Sequence, residues 1–346
     1  MNVVARLRAA RARSHGALVR SVAFAALVIA CSSAGAAPKC SGDCAPRIGI
    51  VSAFGAEADV LIAETQSRRT QQIAGQRFTT GILRGNRVVI VLSGVSMVNA
   101  AMTTQRLVDH FRVERLVLSG IDPARRVGDV VVPESWAMPM EVYWNHDDSL
   151  PGPCGAPGDV ACLGLRLARP DGRALPSYRG LVVRENHVTS AQSGAGGEFV
   201  FDYRADPAML AVARSLAPAL ERCGPRAKTA SGIDPKLCVG AQPEVVVGGR
   251  GVSGTAFVAD AAYRRYLSEQ LHAQCVDMET AALAHVARAN GVPFIAFRSL
   301  SDLAGAEGFN ADVAALFASG LAERNAAAVT LAFLAAWAER APARVR

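Results

Sequence analysis

Acidic side chains stand where strand-like and helix-like stretches of this chain meet. Asp277 and Glu279 precede a helix-like stretch, and Asp302 ends an apolar stretch with strand character. Acids on loops and strand ends of an otherwise apolar scaffold are typical of the functional sites of α/β proteins. The sequence therefore predicts a site whose chemistry depends on carboxyl groups.

Strand-like and helix-like stretches alternate along the chain. The predicted strands cover 47–53, 87–93, 115–119, 128–133, 244–254 and 293–299. The predicted helices cover 97–111, 207–220, 260–274, 279–290 and, as one helix or two, 311–340. Segments rich in Pro, Gly and Asp between about 138 and 241 indicate insertions. The alternation predicts a single-domain three-layer α/β/α sandwich with a central mixed β-sheet over residues 45–342.

The first 36 residues have the composition of a secretory signal peptide. Five arginines and no acids accompany an apolar run, Val22 to Ala30, that is too short for a permanent membrane helix. Ala34-Gly-Ala36 fits an ordinary cleavage site, whereas Val28-Ile-Ala-Cys31 fits a lipoprotein site that would leave a lipid anchor on Cys31. Both interpretations predict a periplasmic, secreted or envelope-anchored protein. Without the five leader arginines the formal charge of +7 falls to +2, which gives no reason to expect nucleic-acid binding.

Six of the eight cysteines form close pairs, namely Cys40/Cys44, Cys154/Cys162 and Cys223/Cys238. Each pair lies in a loop-like stretch, so local disulfides formed in an oxidising compartment are predicted. A metal site is the weaker alternative, because the spacings differ and no histidine lies beside a pair. We expect no metal and no cofactor. Cys275 stands alone in an apolar context and is predicted to be a buried thiol.

Six short motifs occur in the order expected of one superfamily. They are Ile48-Gly-Ile-Val-Ser-Ala-Phe54 with Glu57, Ser93-Gly-Val, Val127-Gly-Asp-Val-Val-Val132, Val252-Ser-Gly-Thr-Ala-Phe257, Val276-Asp-Met-Glu279 and Arg298-Ser-Leu-Ser-Asp302. Over about residues 47–340 the chain resembles the nucleoside phosphorylase superfamily, most closely its methylthioadenosine/S-adenosylhomocysteine nucleosidase branch. The resemblance implies an N-glycosyl hydrolase that acts on a purine nucleoside, and a homo-oligomer, usually a dimer.

The resemblance also implies roles for individual residues. Cleavage of an N-glycosidic bond needs a proton for the departing base, stabilisation of positive charge on the ribose, and a nucleophile at the anomeric carbon. Asp302 is expected to donate the proton, and Glu57 to hold the attacking water. Glu279 is expected to accept hydrogen bonds from the ribose hydroxyls, with Met278 beside it.

Four further residues complete the predicted site. Phe257 is expected to pack on the base, with Val258 next to it. Ser301 is expected to contact the substrate, and Arg298 to be a buried ion-pair partner of the acids.

Each assignment has a structural alternative. Asp302 could cap a helix, and Glu57 could be a solvated acid in a first helical turn. Met278 and Phe257 could simply be core residues. Asp277 and Glu279 are two residues apart and cannot share a helix face, so Asp277 is interpreted as structural and Glu279 as the ligand contact.

Two segments depart from the family pattern. Ser119 to Gly128 lacks about four residues of a Gly-rich turn, and Ser96-Met97 replaces Gly-Lys. The shortened turn keeps open the alternative of a non-catalytic nucleoside-binding protein. A phosphorylase is the other alternative, but no Gly-rich phosphate cradle follows the first strand, which favours hydrolysis.

Overall fold

A mixed sheet of eight strands runs through the centre of the protein. The computed structural model describes residues 40, 44–123, 126–146, 164–168, 172–305, 314 and 319–340. The strands are β1 (Arg47–Ser52), β2 (Gln66–Ile73), β3 (Gln76–Leu83), β4 (Asn86–Leu92), β5 (Val113–Pro123), β6 (Val130–Val132), β7 (Ser135–Ala137), β8 (Val142–Trp144), β9 (Ser177–Tyr178), β10 (Leu181–Val183), β11 (Asn186–Ser190), β12 (Gly194–Val200), β13 (Tyr203–Arg204), β14 (Lys228–Thr229), β15 (Gly232–Ile233), β16 (Val245–Val247), β17 (Arg250–Ser253), β18 (Ala273–Asp277) and β19 (Phe294–Asp302). The helices are α1 (Gly55–Glu64), α2 (Met97–His110), α3 (Pro207–Arg214), α4 (Ala261–Leu271), α5 (Thr280–Asn290) and α6 (Leu321–Arg340).

The centre of the main sheet is parallel and covered on both faces. The strand order is β16-β6-β19-β5-β1-β4-β3-β2, and β4, β1, β5 and β19 are parallel neighbours. Every residue of β1 and β19 is buried, as expected for strands between two helical layers. The chain crosses from β1 to β4 through α1 and returns past β1 to β5 through α2, so right-handed crossovers place these helices on opposite faces. With α6 packed beside α1 and α5 beside α2, the predicted α/β/α fold is confirmed.

A second sheet of four strands, in the order β13-β7-β17-β18, lies beside the first. Its strands β17 and β18 are parallel, and their register sets Ser253 opposite Asp277. The prediction of one strand over 244–254 is wrong, because Gly248 and Gly249 adopt φ values of +134° and +73°. This left-handed backbone, which glycine tolerates, separates β16 in the main sheet from β17 in the second sheet.

The helix predicted over 207–220 is also too long. It ends at Arg214, four residues before Pro218, and proline disfavours helical backbone in the residue that precedes it. Asp206 caps this helix by accepting a hydrogen bond from the Met209 N–H at 2.9 Å. Asp260 caps α4 in the same way through the Tyr263 N–H, as predicted.

Two of the three predicted disulfides are present, namely Cys40–Cys44 and Cys223–Cys238. Cys275 is buried and takes part in neither of these disulfides, as predicted. The leader with Cys31 and the pair Cys154/Cys162 lie outside the described residues. Among the helices that the structure does describe, none combines the length and the apolar character needed to cross a bilayer.

Candidate active site

A cavity of about 170 Å³ opens at the carboxyl ends of β1, β18 and β19. In α/β proteins this edge of the sheet is where ligands bind. The structure brings all eight predicted site residues together in the cavity lining, and these are Glu57, Phe257, Val258, Met278, Glu279, Arg298, Ser301 and Asp302. Their chemical roles stay predictions, but their convergence is a property of the fold.

Glu57 is held by the first turn of α1. The turn follows β1 directly, and Glu57 Oε2 accepts hydrogen bonds from the backbone N–H groups of Ala53 at 2.6 Å and Phe54 at 3.2 Å. The side chain is 1% exposed, so its interpretation as a solvated acid is wrong. A Cβ placed on Gly120 would lie 2.7 Å from Glu57 Oε1 and closer still to Arg298 Nη1. The carboxylate of Glu57 and the guanidinium group of Arg298 therefore both pack against Gly120.

Asp277 organises the turn that presents Glu279. Its carboxylate accepts from the Glu279 N–H at 3.2 Å and from the N–H and hydroxyl of Thr280. The Ser253 hydroxyl donates to Asp277 and accepts from the Ala281 N–H at 2.8 Å. This network agrees with the structural interpretation of Asp277.

Arg298 links the two acids of this turn. Its Nε lies 3.3 Å from Asp277 Oδ2, and its Nη2 lies 3.5 Å from Glu279 Oε2. Arg298 is 2% exposed and Glu279 is 4% exposed, so the ion pairs are shielded from water. The predicted pairing of Arg298 is present with both acids at once. Removal of one partner from a shielded ion pair lowers the stability of a protein much more than removal of one partner from a surface pair.

Burial and the neighbouring charge of Asp277 raise the pKa of Glu279, whereas Arg298 and the backbone amides of Ser96 and Met278 act in the opposite direction. The Ser96 N–H donates to Glu279 Oε1 at 3.0 Å. Ser96 has a φ of +108°, which is unusual for a residue other than glycine. Ser96 stands where the family pattern has glycine, and its backbone has a conformation that glycine favours. In this conformation its N–H donates to the carboxylate of Glu279.

Asp302 is the last residue of β19 and is 2% exposed. Its Oδ2 accepts a hydrogen bond of 2.6 Å from the Ser301 hydroxyl. Leu303 to Gly305 form a turn and no helix, so the described residues give no support to a capping role.

The apolar residues of the cavity lining differ in their exposure to solvent. Phe257 is 65% exposed and lies at the cavity, so its interpretation as a core residue is wrong. Val258 is buried, and Met278 is partly buried.

The sequence reasoning did not assign Ser253 or the amide of Ser96 to the site. Ser253 lies within the Val252–Phe257 motif, but a serine inside a strand gives no sign of its partners. Half of the shortened turn, residues 121–125, lies outside the part of the chain whose side chains are described.

Comparison with known sequences decides the family. The sequence model described as the phosphorylase superfamily matches residues 47–335. The chain belongs to the phosphorylase superfamily. Among its superfamily relatives, the 5'-methylthioadenosine/S-adenosylhomocysteine nucleosidase of Geobacillus thermodenitrificans is 29% identical over 266 residues, which are 75% of this chain and 86% of that protein. A nucleosidase of the same name from Bacillus cereus is 27% identical over 269 residues, 75% of this chain and 87% of its own.

Solved structures share the superfamily fold. The nucleosidase of S. pneumoniae, bound to a transition-state inhibitor, aligns with a TM-score of 0.56 and 24% identity over 84% of this chain and 99% of its own. The futalosine hydrolase of Helicobacter pylori aligns with a TM-score of 0.54 and 18% identity over 85% and 97%. The predicted family is confirmed. The predicted enzyme class is confirmed as well, since the curated relatives are nucleosidases, that is, N-glycosyl hydrolases.

Proposed function

We propose that this protein is an exported nucleosidase that hydrolyses the N-glycosidic bond of a purine nucleoside of the methylthioadenosine/S-adenosylhomocysteine class. One observation carries the proposal. The carboxyl groups of Glu57, Glu279 and Asp302 come from distant parts of the chain and line one cavity. The names of the relatives support the substrate class.

Asp302 acts as the general acid toward the base. It stands at the end of a fully buried strand, and its hydrogen bond with Ser301 Oγ fixes the orientation of the carboxyl group. A proton delivered to the purine ring converts the base into a better leaving group. Positioned proton transfer of this kind contributes about 10²- to 10⁴-fold to the rate.

Glu57 positions the attacking water. Two backbone N–H groups fix its Oε2, while its Oε1 lies on the side of Gly120 and Arg298. A carboxylate held in this way can accept a hydrogen bond from water and direct the oxygen at the anomeric carbon. Its negative charge also favours the positive charge that develops on the ribose.

Glu279 binds the ribose hydroxyls. Its carboxylate is oriented by the Ser96 amide and by Arg298, and Met278 next to it provides an apolar contact for the sugar. Phe257 and Val258 lie on the apolar side of the same cavity and pack on the base. A substrate held at both sugar and base is positioned for attack at the bond between them.

The charge of the cavity favours water over phosphate as the nucleophile. Among the described lining residues, the charged ones are four acids and one arginine, and Arg298 is already paired with two of these acids. A phosphate dianion entering this lining would meet net negative charge, which opposes its binding.

Export and self-association are part of the proposal. The leader composition and the disulfides Cys40–Cys44 and Cys223–Cys238 support an oxidising compartment, with a lipid anchor on Cys31 as one route to the envelope.

Val98 and Met102, 71% and 41% exposed, lie one turn apart on α2, near Val95 of the cavity lining. An apolar face beside the site supports a homodimer in which a second copy covers it.

A base-release assay tests the activity. The purified protein is incubated with adenosine, methylthioadenosine and S-adenosylhomocysteine, with and without phosphate, and free base is measured by HPLC. We expect release without phosphate, fastest for a 5'-thio-substituted nucleoside. Strict dependence on phosphate would establish a phosphorylase. Binding by titration calorimetry without release of base from any of the three would establish a nucleoside-binding protein.

A further inference from the structure

Four arginines line a cleft of about 570 Å³ at the end of the main sheet opposite to the candidate active site. Arg47 is the first residue of β1, Arg87 the second of β4 and Arg115 the third of β5. These strands are parallel neighbours, so their amino ends lie side by side. Arg340, the last residue of α6, closes the group. The fold thus gathers arginines from four separate parts of the chain.

The charge of the cleft is strongly one-sided. Among the described residues, its lining contains these four arginines and one acid, Glu114. The Glu114 carboxylate is shared between Arg115 at 3.8 Å and Arg112 at 3.9 Å, distances that are long for an ion pair. Guanidinium groups stay protonated over the whole physiological pH range. Walls of low dielectric around such a cleft concentrate its positive potential.

Contacts with the protein hold three of the guanidinium groups in place. Arg47 is 7% exposed, and its Nη1 lies 3.5 Å from the Val88 carbonyl oxygen. The Arg115 guanidinium lies 4.7 Å from the centroid of the Trp337 ring, in a cation–π contact. Arg340 Nη1 donates to a backbone carbonyl oxygen at 3.3 Å. Arginines anchored in this way lose little conformational entropy when a ligand binds.

We propose that this cleft binds a small polyanion that carries two or more phosphate or carboxylate groups. The planar donor forks of arginine match both groups, each of which can accept two parallel hydrogen bonds. The cleft volume lies within the range of about 300–1,000 Å³ that is usual for small-molecule sites. The six residues of β1 separate the cleft from the candidate active site by about 20 Å. Occupation of the cleft therefore leaves the catalytic cavity open.

Titration calorimetry with pyrophosphate and with citrate, at constant ionic strength in chloride, tests the proposal. We expect saturable binding of at least one anion, one per chain. Arg87→Gln combined with Arg340→Gln should weaken that binding at least tenfold, because it removes two of the four positive charges of the cleft. The double variant should still fold, because both side chains are exposed. The charge-matched control combines Arg69→Gln with Arg77→Gln on the exposed β2–β3 hairpin and should keep the affinity within about twofold.

The comparison between anions identifies the ligand chemistry. Tighter binding of pyrophosphate supports a phosphate ligand, and tighter binding of citrate supports a polycarboxylate. Absence of saturable binding for both anions overturns the proposal. Equal weakening in the two double variants also overturns it, because net charge alone would then explain the binding. Tighter binding of the anion to an Asp302→Asn variant would place the anion in the catalytic cavity, where the loss of one negative charge favours it, and would overturn the proposal as well.

Discussion

The two ends of the main sheet differ in the sign of their charge and in how that charge is compensated. At the carboxyl ends, buried acids converge, and Arg298 lies within ion-pair distance of two of them. At the amino ends, the part of the cleft lining that the structure describes contains four arginines and one acid. A buried charge needs a protein partner, whereas a charge in an open cleft can be compensated by water or a ligand. Substitutions of the buried charges at the carboxyl ends should therefore affect their ion-pair partners, whereas substitution of an exposed cleft arginine such as Arg87 should not.

The largest expected effect is on turnover. Asp302→Asn keeps the shape of the side chain and its contact with Ser301 but removes the proton donor. We expect kcat for base release to fall by about 10²- to 10⁴-fold, with KM nearly unchanged. Arg87→Gln, at the opposite end of the sheet, should leave kcat as it is. Unchanged turnover in Asp302→Asn would exclude Asp302 as the general acid.

The second effect is on stability. Arg298→Met removes the partner of Asp277 and Glu279 and leaves two buried acids uncompensated. We expect the free energy of unfolding to fall by about 3–5 kcal/mol. Arg87→Gln should change it by less than about 0.5 kcal/mol, because Arg87 is exposed. Urea denaturation of the two variants measures both values. A similar decrease in the free energy of unfolding of the two variants would show that charges at the two ends of the sheet contribute equally to stability.

The third effect separates activity from stability. In Gly120→Ala the new methyl group would meet Glu57 Oε1 and Arg298 Nη1, which are the movable ends of long side chains. The fold can therefore accommodate the change while the acid is displaced, and kcat/KM should fall by up to about 10²-fold. Gly196→Ala is the control, since no atom lies within 4 Å of the added carbon. Activity equal to that of the control would show that the position of Glu57 is not critical.

The central strands were predictable for physical reasons, and the convergence of the site residues was predictable through the family resemblance. A strand that is buried on both faces must be an apolar run, and 47–53 and 293–299 show that signal clearly. The acids were predictable because strand ends and helix starts of an apolar α/β scaffold are where functional groups are typically found. Glu57, Glu279 and Asp302 each follow such a strand or open a helix.

Other features leave little trace in the sequence. Strand β2 was not predicted, because seven of its eight residues are exposed and the apolar alternation is missing. Its hairpin with β3 turns at Ala74-Gly75, both with positive φ, a weak signal compared with Asn-Gly. The hydrogen bonds of Ser253 and the Ser96 amide depend on contacts between distant segments. No local pattern encodes them.

The smallest expected effect concerns helix α6, whose last residue, Arg340, lines the arginine cleft. Glu323 lies in its first turn and is 5% exposed, whereas Glu339 is exposed near its other end, close to the arginine cleft. Burial raises the pKa of Glu323, while Arg226 and the backbone amide of Glu323 act against that rise. Because the folded-state pKa lies above the unfolded one, the stabilisation by the neutral acid is fully present below the unfolded pKa. It is lost as pH rises through the folded pKa.

Glu323→Gln keeps a neutral side chain at every pH and should abolish this loss. We expect the variant to match the parent protein near pH 4 and to be more stable than the parent protein at pH 7. Glu339→Gln should change stability by less than about 0.5 kcal/mol at both pH values, because its carboxylate is solvated. Urea denaturation at the two pH values decides between these outcomes. If Glu323→Gln were less stable than the parent protein at pH 7, the Glu323 carboxylate would be favourably paired in the folded state. Burial would then not be its dominant interaction, and a buried acid on α6 would be compensated as fully as those around Arg298.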